Sequence, residues 1–429
     1  MMSAIPDGPR RDYLRGLAAD VRRISQEPVF EEKKRLWIRK NGLQKTRPLV
    51  LCTIPDNLWR EIIPENSIRF AESPWREIER SLIQRIYRWE HIRDDEIITD
   101  KVYLPLHYAF SDWIEGRRRP QSENGRGAEA FHPDIFDYGD WGKVRMPELQ
   151  DIDSAANARD MDMIGDTLGD LLEVIGGEPF SSDTDQYVKG WGLSGIDILC
   201  ELRGLEAVYM DLADNPLFVD DAMAFICEGL DGYLDAMEGN RLLRLNNNDF
   251  TKSTNSPLGS NGLAITDGIP GQGSKHDEVK CRDLWGYSMA QEFVGVSPEM
   301  HEKYVLSHQR KLGERFGLLC YGCCEPNDRK WASIFKTFRN LREVSVSHVA
   351  DLDIAAEAIG ANYVFSWKPN STILPYSDEE AIRRQLADGM GKARDCHLVV
   401  SLRDNLTLGG RPELLSRWTR TAMELAEKA

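Results

Sequence analysis

The sequence predicts an α/β protein: a single (β/α)8 barrel of the triosephosphate isomerase type. It expects a helical extension at the N-terminus and long loops at the C-terminal face of the strands. Three observations predict this. From residue 285 onward, short apolar runs alternate with amphipathic helical segments. Those runs are apolar throughout rather than alternating, as in parallel strands buried on both faces. No GxGxxG follows the first strand, which argues against a dinucleotide-binding fold.

The elements follow in chain order. "PRRDYLRGLAADVRRI" puts Tyr13, Leu14, Leu17, Val21 and Ile24 at helical spacing, and "EPVFEEKKRLWIRK" does the same with Val29, Phe30, Leu36 and Trp37. These helices form an extension over 1–46, with the barrel over 47–429. "RPLVLCTIP" is the first strand, "SPWREIERSLIQRIYRWEHI" a helix, and "DKVYLPLHY" the next strand. The stretch from Gly116 to Val144 is irregular and aromatic, the character of a lid or binding loop. Its Phe131, Phe136, Tyr138 and Trp141 are open to two readings, pocket lining or loop anchors. "DSAANARDMDMIGDTLGDLLEVIG" reads as helix, the region 190–239 is mostly helical, and "RLLRLNNND" reads as a strand. The segment after Asp249 is rich in Gly and Ser and suits a lid over the barrel mouth. Five further strand–helix units complete the chain. Their strands lie in "YSMAQEFVGVSP", "LLCYGCCEP", "REVSVSHVAD", "NYVFSWKPN" and "CHLVVSLRDN".

Composition narrows the function classes. With 41% hydrophobic residues, the chain has ample material for a large core. The excess of 70 acidic over 54 basic residues gives a net charge of −16, a field that repels nucleic acid and anionic membranes. The basic run Arg117–Arg119 reads as a solvated loop. No apolar signal segment opens the chain, and no stretch approaches the ~18 apolar residues of a membrane helix. The eight cysteines are therefore expected to be reduced thiols in the cytoplasm.

In a parallel barrel the chemistry gathers at the C-terminal ends of the strands. That rule nominates His107; Asn246, Asn247 and Asn248; Glu292; Tyr321, Cys323, Cys324 and Glu325; Ser347 and His348; Trp367 and Lys368; Arg403 and Asp404. The string "CYGCCE" admits four readings. Cys320 and Cys323 could be a redox pair, although Cys320 sits in the strand rather than at a helix N-terminus. A cysteine could be a nucleophile with His348 as its base. Cys323 or Cys324, Glu325, Glu292 and His348 offer zinc-type ligands without a recognised spacing. Or Cys320 and its neighbours pack a strand.

The strings "LCELRGLEAVYMDLADNP", "LRLNNND", "DLWGYSMAQEFVGVSPEM", "YGCCEP", "LREVSVSHVAD", "YVFSWKPN" and "SLRDNLTLGGRPELLSRW" together resemble the uroporphyrinogen decarboxylase superfamily. They look like its corrinoid-dependent methyltransferase branch, which includes O-demethylases of methoxylated aromatics. The resemblance covers Leu199 to the C-terminus well and the first ~190 residues weakly. It implies a (β/α)8 barrel. It implies transfer of a methyl group from a small methylated substrate, such as an aryl methyl ether, to the cobalt of a corrinoid. The corrinoid would ride on a partner protein, since the Asp-x-His-x-x-Gly signature of a cobalamin module is absent here. The RQAGR-type motif of true decarboxylases is also absent. In the zinc methyltransferases of the superfamily a His-x-Cys-Gly string marks the metal; here Leu319 and Tyr321 stand in those places, and "SLRDN" lacks the further cysteine. The resemblance thus leaves zinc on other ligands, Cys323, Glu325 and His348, or no metal. Under it Glu325, Tyr321 and His348 are the catalytic candidates, and His107, Asn247, Glu292, Trp367, Lys368 and Asp404 the substrate-binding ones. Two alternatives stand beside it. One is a cofactor-free decarboxylase or lyase on a small acid, with Lys368, Arg403 and His107 gripping carboxylates. The other is a non-catalytic or thiol-redox barrel. A homo-oligomer is compatible with either.

Overall fold

The computed structural model describes residues 5–116, 133–177, 193–247, 261–271, 278–376, 378–403, 405 and 407–429. Ten strands are present among them: β1 (Leu49–Cys52), β2 (Lys101–Leu104), β3 (Tyr108–Phe110), β4 (Leu149–Ile152), β5 (Glu173–Gly176), β6 (Trp285–Ser288), β7 (Leu318–Tyr321), β8 (Leu341–Val346), β9 (Val364–Trp367) and β10 (His397–Leu402). Six form one parallel sheet in the order β1-β10-β9-β8-β7-β6, so the first strand pairs with the last. β2 pairs in parallel with β5, and β3 pairs antiparallel with β4. The fold is α/β. No described helix is long and apolar enough to cross a membrane.

The strand–helix rhythm from β6 onward appears as read. Two segments differ. "LLEVIG" is not helical: the helix Ser154–Leu168 stops at Gly169, and Val174 and Ile175 pair with β2 as β5. β-branched residues favour that pleated edge. "RLLRLNNND" is not a strand within its described residues. Instead the Asn246 side chain bonds the Trp285 backbone in both directions, N–H to Oδ1 and Nδ2 to O, each 3.0 Å. An amide side chain thus stands in for a ladder partner.

The six-stranded sheet has two unlike faces because strand side chains alternate. Leu319, Tyr321, Val344, Val346, Phe365 and Trp367 point to the flanking helices, into a cluster with Trp331, Ile334, Phe338 and Trp418. The inner face carries Cys320, Glu343, Ser345 and Ser366, all buried. Residues 261–265 lie over this inner face, entirely buried. Ser366 Oγ donates to Asn261 O (2.6 Å), and Asn41 Nδ2 donates to the carbonyls of Leu263 and Ile265 (2.8 Å each). Small polar strand residues make room for this segment. At Gly262 a Cβ would lie 3.1 Å from Glu343 Oε1 and 3.3 Å from Trp37. The expected lid is therefore, over 261–266, part of the core, while Asp267 and Gly268 are exposed; its residues 250–260 and 272–277, with Asn248 and Arg117–Arg119, lie outside the described residues. The helices Gly8–Ser25 and Val29–Asn41 share a cluster with Leu49, Leu51, Val364 and Val399 of the sheet.

Candidate active site

The turn after β7 builds the site. Gly322 has φ +93°, a conformation that favours glycine, and it swings Cys323, Cys324 and Glu325 back across the strand ends. Glu325 is 2% exposed. Its Oε2 accepts from Cys323 N (2.8 Å) and its Oε1 from Ala290 N (3.3 Å), so one carboxyl ties the ends of β6 and β7. Burial and then the neighbouring Cys323 push its pKa up, against those backbone bonds and Lys368.

Two more carboxyls face it. Asp197 stands in the first turn of the helix Gly195–Arg203 and is 1% exposed. Neither of its oxygens has a hydrogen-bond partner. The hydroxyl of Ser194 beside it donates to Met289 O (2.8 Å). Burial, then Glu292, then Glu325 and Cys323 raise the Asp197 pKa well above its ordinary value, against a lowering influence of Ser194. Glu292, half-buried after β6, is raised by burial and by Glu201. Three acids from three segments thus crowd one another, and like charges in a poorly solvated place favour the protonated forms. A carboxyl biased in this way toward its protonated form is suited to deliver a proton to a departing oxygen.

Buried amines frame the acids. Lys368 Nζ donates to Cys323 O (2.5 Å), which also accepts from Ser345 Oγ (2.5 Å). Lys330 Nζ donates to Phe293 O (2.7 Å).

The residues nominated from the sequence divide. Glu325, Cys323, Cys324, Lys368 and Glu292 come together. Trp367 does not join them and lies on the outer sheet face; Tyr321 is on that face too, although Glu325 and Asp197 are near enough to add to the burial that raises its pKa. Tyr321 OH meets His301 Nε2 at 2.9 Å, and Trp367 packs on Gly389. His348 is exposed on the loop after β8. His107 pairs with Asp160 (2.7 Å) near the β3–β4 sheet. Asn247 Nδ2 bonds Ile269 O, under the buried segment. Asp404 lies outside the described residues. In the aromatic loop, Tyr138 and Trp141 are anchors: both rings pack on Phe218, at 5.0 and 5.4 Å.

The proposed ligand set Cys323, Glu325 and His348 does not fit a zinc ion. His348 is exposed, and both Glu325 oxygens already accept backbone N–H groups. Among the described residues no three His, Cys, Asp or Glu are arranged to hold a metal ion. Asp197 escaped sequence reading. Its signal was an acid inside the otherwise apolar helical run "GIDILC".

No family model matches the chain, and no curated protein does. Among solved structures the chain is similar to a methyltransferase from Methanosarcina mazei, with 10% identity over 91% of this chain and 98% of that one, and a TM-score of 0.47.

Proposed function

We propose that this chain is an enzyme that transfers a methyl group from a small methylated substrate, an aryl methyl ether being the leading class, to the cobalt of a corrinoid on a partner protein. One observation carries the reading: Asp197, Glu292 and Glu325 cluster by the C-terminal ends of parallel strands, and burial pushes the pKa of each up. The reduced corrinoid supplies the nucleophile that attacks the methyl carbon. The chain must then help a poor leaving group, an alkoxide or phenoxide, which a buried neutral carboxylic acid does by giving up its proton. Glu325 is the acid in this scheme, held in place by Cys323 N and Ala290 N. Burial, then Cys323, favours the proton on Glu325. No step passes through a metal.

The reading includes a closed barrel. Its support is the β1–β10 pairing, the Asn246–Trp285 bonds and the bond from Arg244 Nε to Gly176 O (2.8 Å). The decarboxylase alternative asks Lys368, Arg403 and His107 to grip carboxylates, yet two of the three are engaged, Lys368 by Cys323 O and His107 by Asp160.

The test is methylation of cob(I)alamin, followed by absorbance, with a panel of methoxyarenes and methylamines. A productive donor should be found, and Glu325→Gln should lower its rate about 100-fold or more while the circular dichroism stays unchanged. Absence of transfer from every donor, or an undiminished Glu325→Gln rate, refutes the proposal.

A further inference from the structure

The sequence contains adjacent cysteines that the proposed chemistry does not use. Cys323 Sγ and Cys324 Sγ stand 3.6 Å apart, and both residues are half-buried. Lys368 Nζ lies 4.0 Å from Cys324 Sγ, a cation placed to stabilise a thiolate there. Cys396, also half-buried, lies apart from them and is pushed up to about 11, chiefly by burial, and the other five differ more. Cys52, Cys200, Cys227, Cys281 and Cys320 are buried, and burial pushes every one of their thiols up, Cys52 and Cys227 to about 12. Cys320 is further covered by Asn261 Nδ2. The expected partnership of Cys320 with Cys323 is therefore replaced by one between neighbours.

We propose that Cys323 and Cys324 are a redox-active vicinal dithiol that closes reversibly to a disulfide when a hydroperoxide reaches the strand ends. The Cys324 thiolate attacks the terminal peroxide oxygen. The O–O bond breaks, leaving a sulfenic acid and an alcohol, or water where the oxidant is hydrogen peroxide. Cys323 sulfur then attacks the sulfenic sulfur. The S–S bond forms, the S–O bond breaks, and the hydroxide leaves as water with the Cys323 proton. Two electrons pass from the sulfurs to the peroxide, and a dithiol reductant returns them. Neighbouring Cα atoms stand about 3.8 Å apart, closer than disulfides usually span, which favours ready reduction. The ring contains the Cys323–Cys324 peptide, whose carbonyl Lys368 and Ser345 hold. Closure therefore turns that carbonyl and releases Lys368 beside Glu325.

The experiment uses the full chain without substrate, so its outcome is independent of methyl transfer. After brief exposure to hydrogen peroxide and quenching, thiols are counted in denaturant and peptides are mapped by mass. The expected result is loss of both thiols on the peptide bearing Cys323 and Cys324, which becomes about 2 Da lighter and regains them with dithiothreitol. Cys320→Ser should behave the same, and Cys323→Ser should stop at a sulfenic acid on Cys324. A variant that does not fold leaves the wild-type peptide map to decide. Retention of both thiols, a Cys320–Cys323 link, a link between chains, or over-oxidation without a ring overturns the proposal.

Discussion

Replacing Glu343 by glutamine should stabilise the protein, and by an amount that grows with pH. Glu343 is fully buried on the inner sheet face. Neither oxygen has a hydrogen-bond partner, and the neighbouring Ser366 hydroxyl donates to Asn261 O. Burial raises its pKa from 4.5 to about 8, against Ser366, Lys40 and Lys368. The sign follows from proton counting. Below pH 4.5 the carboxyl is protonated in both states and costs nothing. As pH rises toward 8 the unfolded chain releases the proton while the folded chain keeps it, so stability falls. Above 8 the loss is complete. The span from 4.5 to about 8, at about 1.36 kcal/mol per pH unit, amounts to an order of 5 kcal/mol. Lys40 has the opposite sign: burial, then Arg47, lowers it to about 7, so above that pH the unfolded chain binds the extra proton and stability rises, a contribution carried by both proteins and largely removed by comparing them. Glutamine keeps the shape and does not titrate. Urea unfolding of both proteins at pH 5, 6.5 and 8.5 measures the difference. Its advantage should widen by several kcal/mol between the first and last pH. A difference that stays constant or reverses would refute a buried, proton-holding Glu343.

Two further substitutions test the packing. Gly389→Ala adds a favourable helix residue, worth about 1 kcal/mol, yet its Cβ would stand 2.1 Å from Trp367 Cη2. A net loss of about 1–3 kcal/mol is expected, measured by thermal unfolding and relieved by Trp367→Leu; a gain would place Trp367 elsewhere. Asn41→Leu removes both donors to Leu263 O and Ile265 O, and two buried carbonyls without partners should cost about 2–4 kcal/mol. Hydrogen exchange across 261–269 should quicken with it, and unchanged exchange would mean that Asn41 does not hold the segment.

The strands after residue 285 were legible because each is an apolar run bounded by turns and followed by a helix. The strand-end rule placed residues near the site but did not say which face each occupies. That information was also in the sequence. Large apolar residues alternate with small polar ones, Leu319–Cys320–Tyr321, Val344–Ser345–Val346 and Phe365–Ser366–Trp367. Reading the small residues as inward puts Tyr321 and Trp367 against the helices. The buried segment was harder to see. Its only mark is "GLAI", four apolar or small residues in a polar loop, and burial there depends on a distant asparagine, Asn41. Asn246 shows a further limit. A side chain that mimics a backbone partner leaves no periodic trace, so "RLLRLNNND" reads as a strand beside the place where a strand would pair.

The buried charges bear on the choice between the two proposed enzyme readings. Lysines 40, 330 and 368 are all buried, and each donates to backbone carbonyls: Lys40 to Leu398 O and Arg47 O, Lys330 to Phe293 O, Lys368 to Cys323 O. An amine used this way fixes loops and strand ends, and recruiting it for a substrate carboxylate would leave a buried carbonyl unsatisfied, at about 1–3 kcal/mol each. The carboxyls are placed in the opposite manner. Asp197 has no hydrogen bond to either oxygen, and Glu325 accepts only from two backbone N–H groups among the bonds described for it. A proton on either acid can therefore leave without breaking a structural contact. A site whose lysines are committed and whose acids are biased toward their protonated forms is better made to protonate an anion as it forms than to bind one with those lysines. That asymmetry favours departure of an alkoxide or phenoxide, the event that methyl transfer from an ether requires, over capture of a carboxylate for decarboxylation.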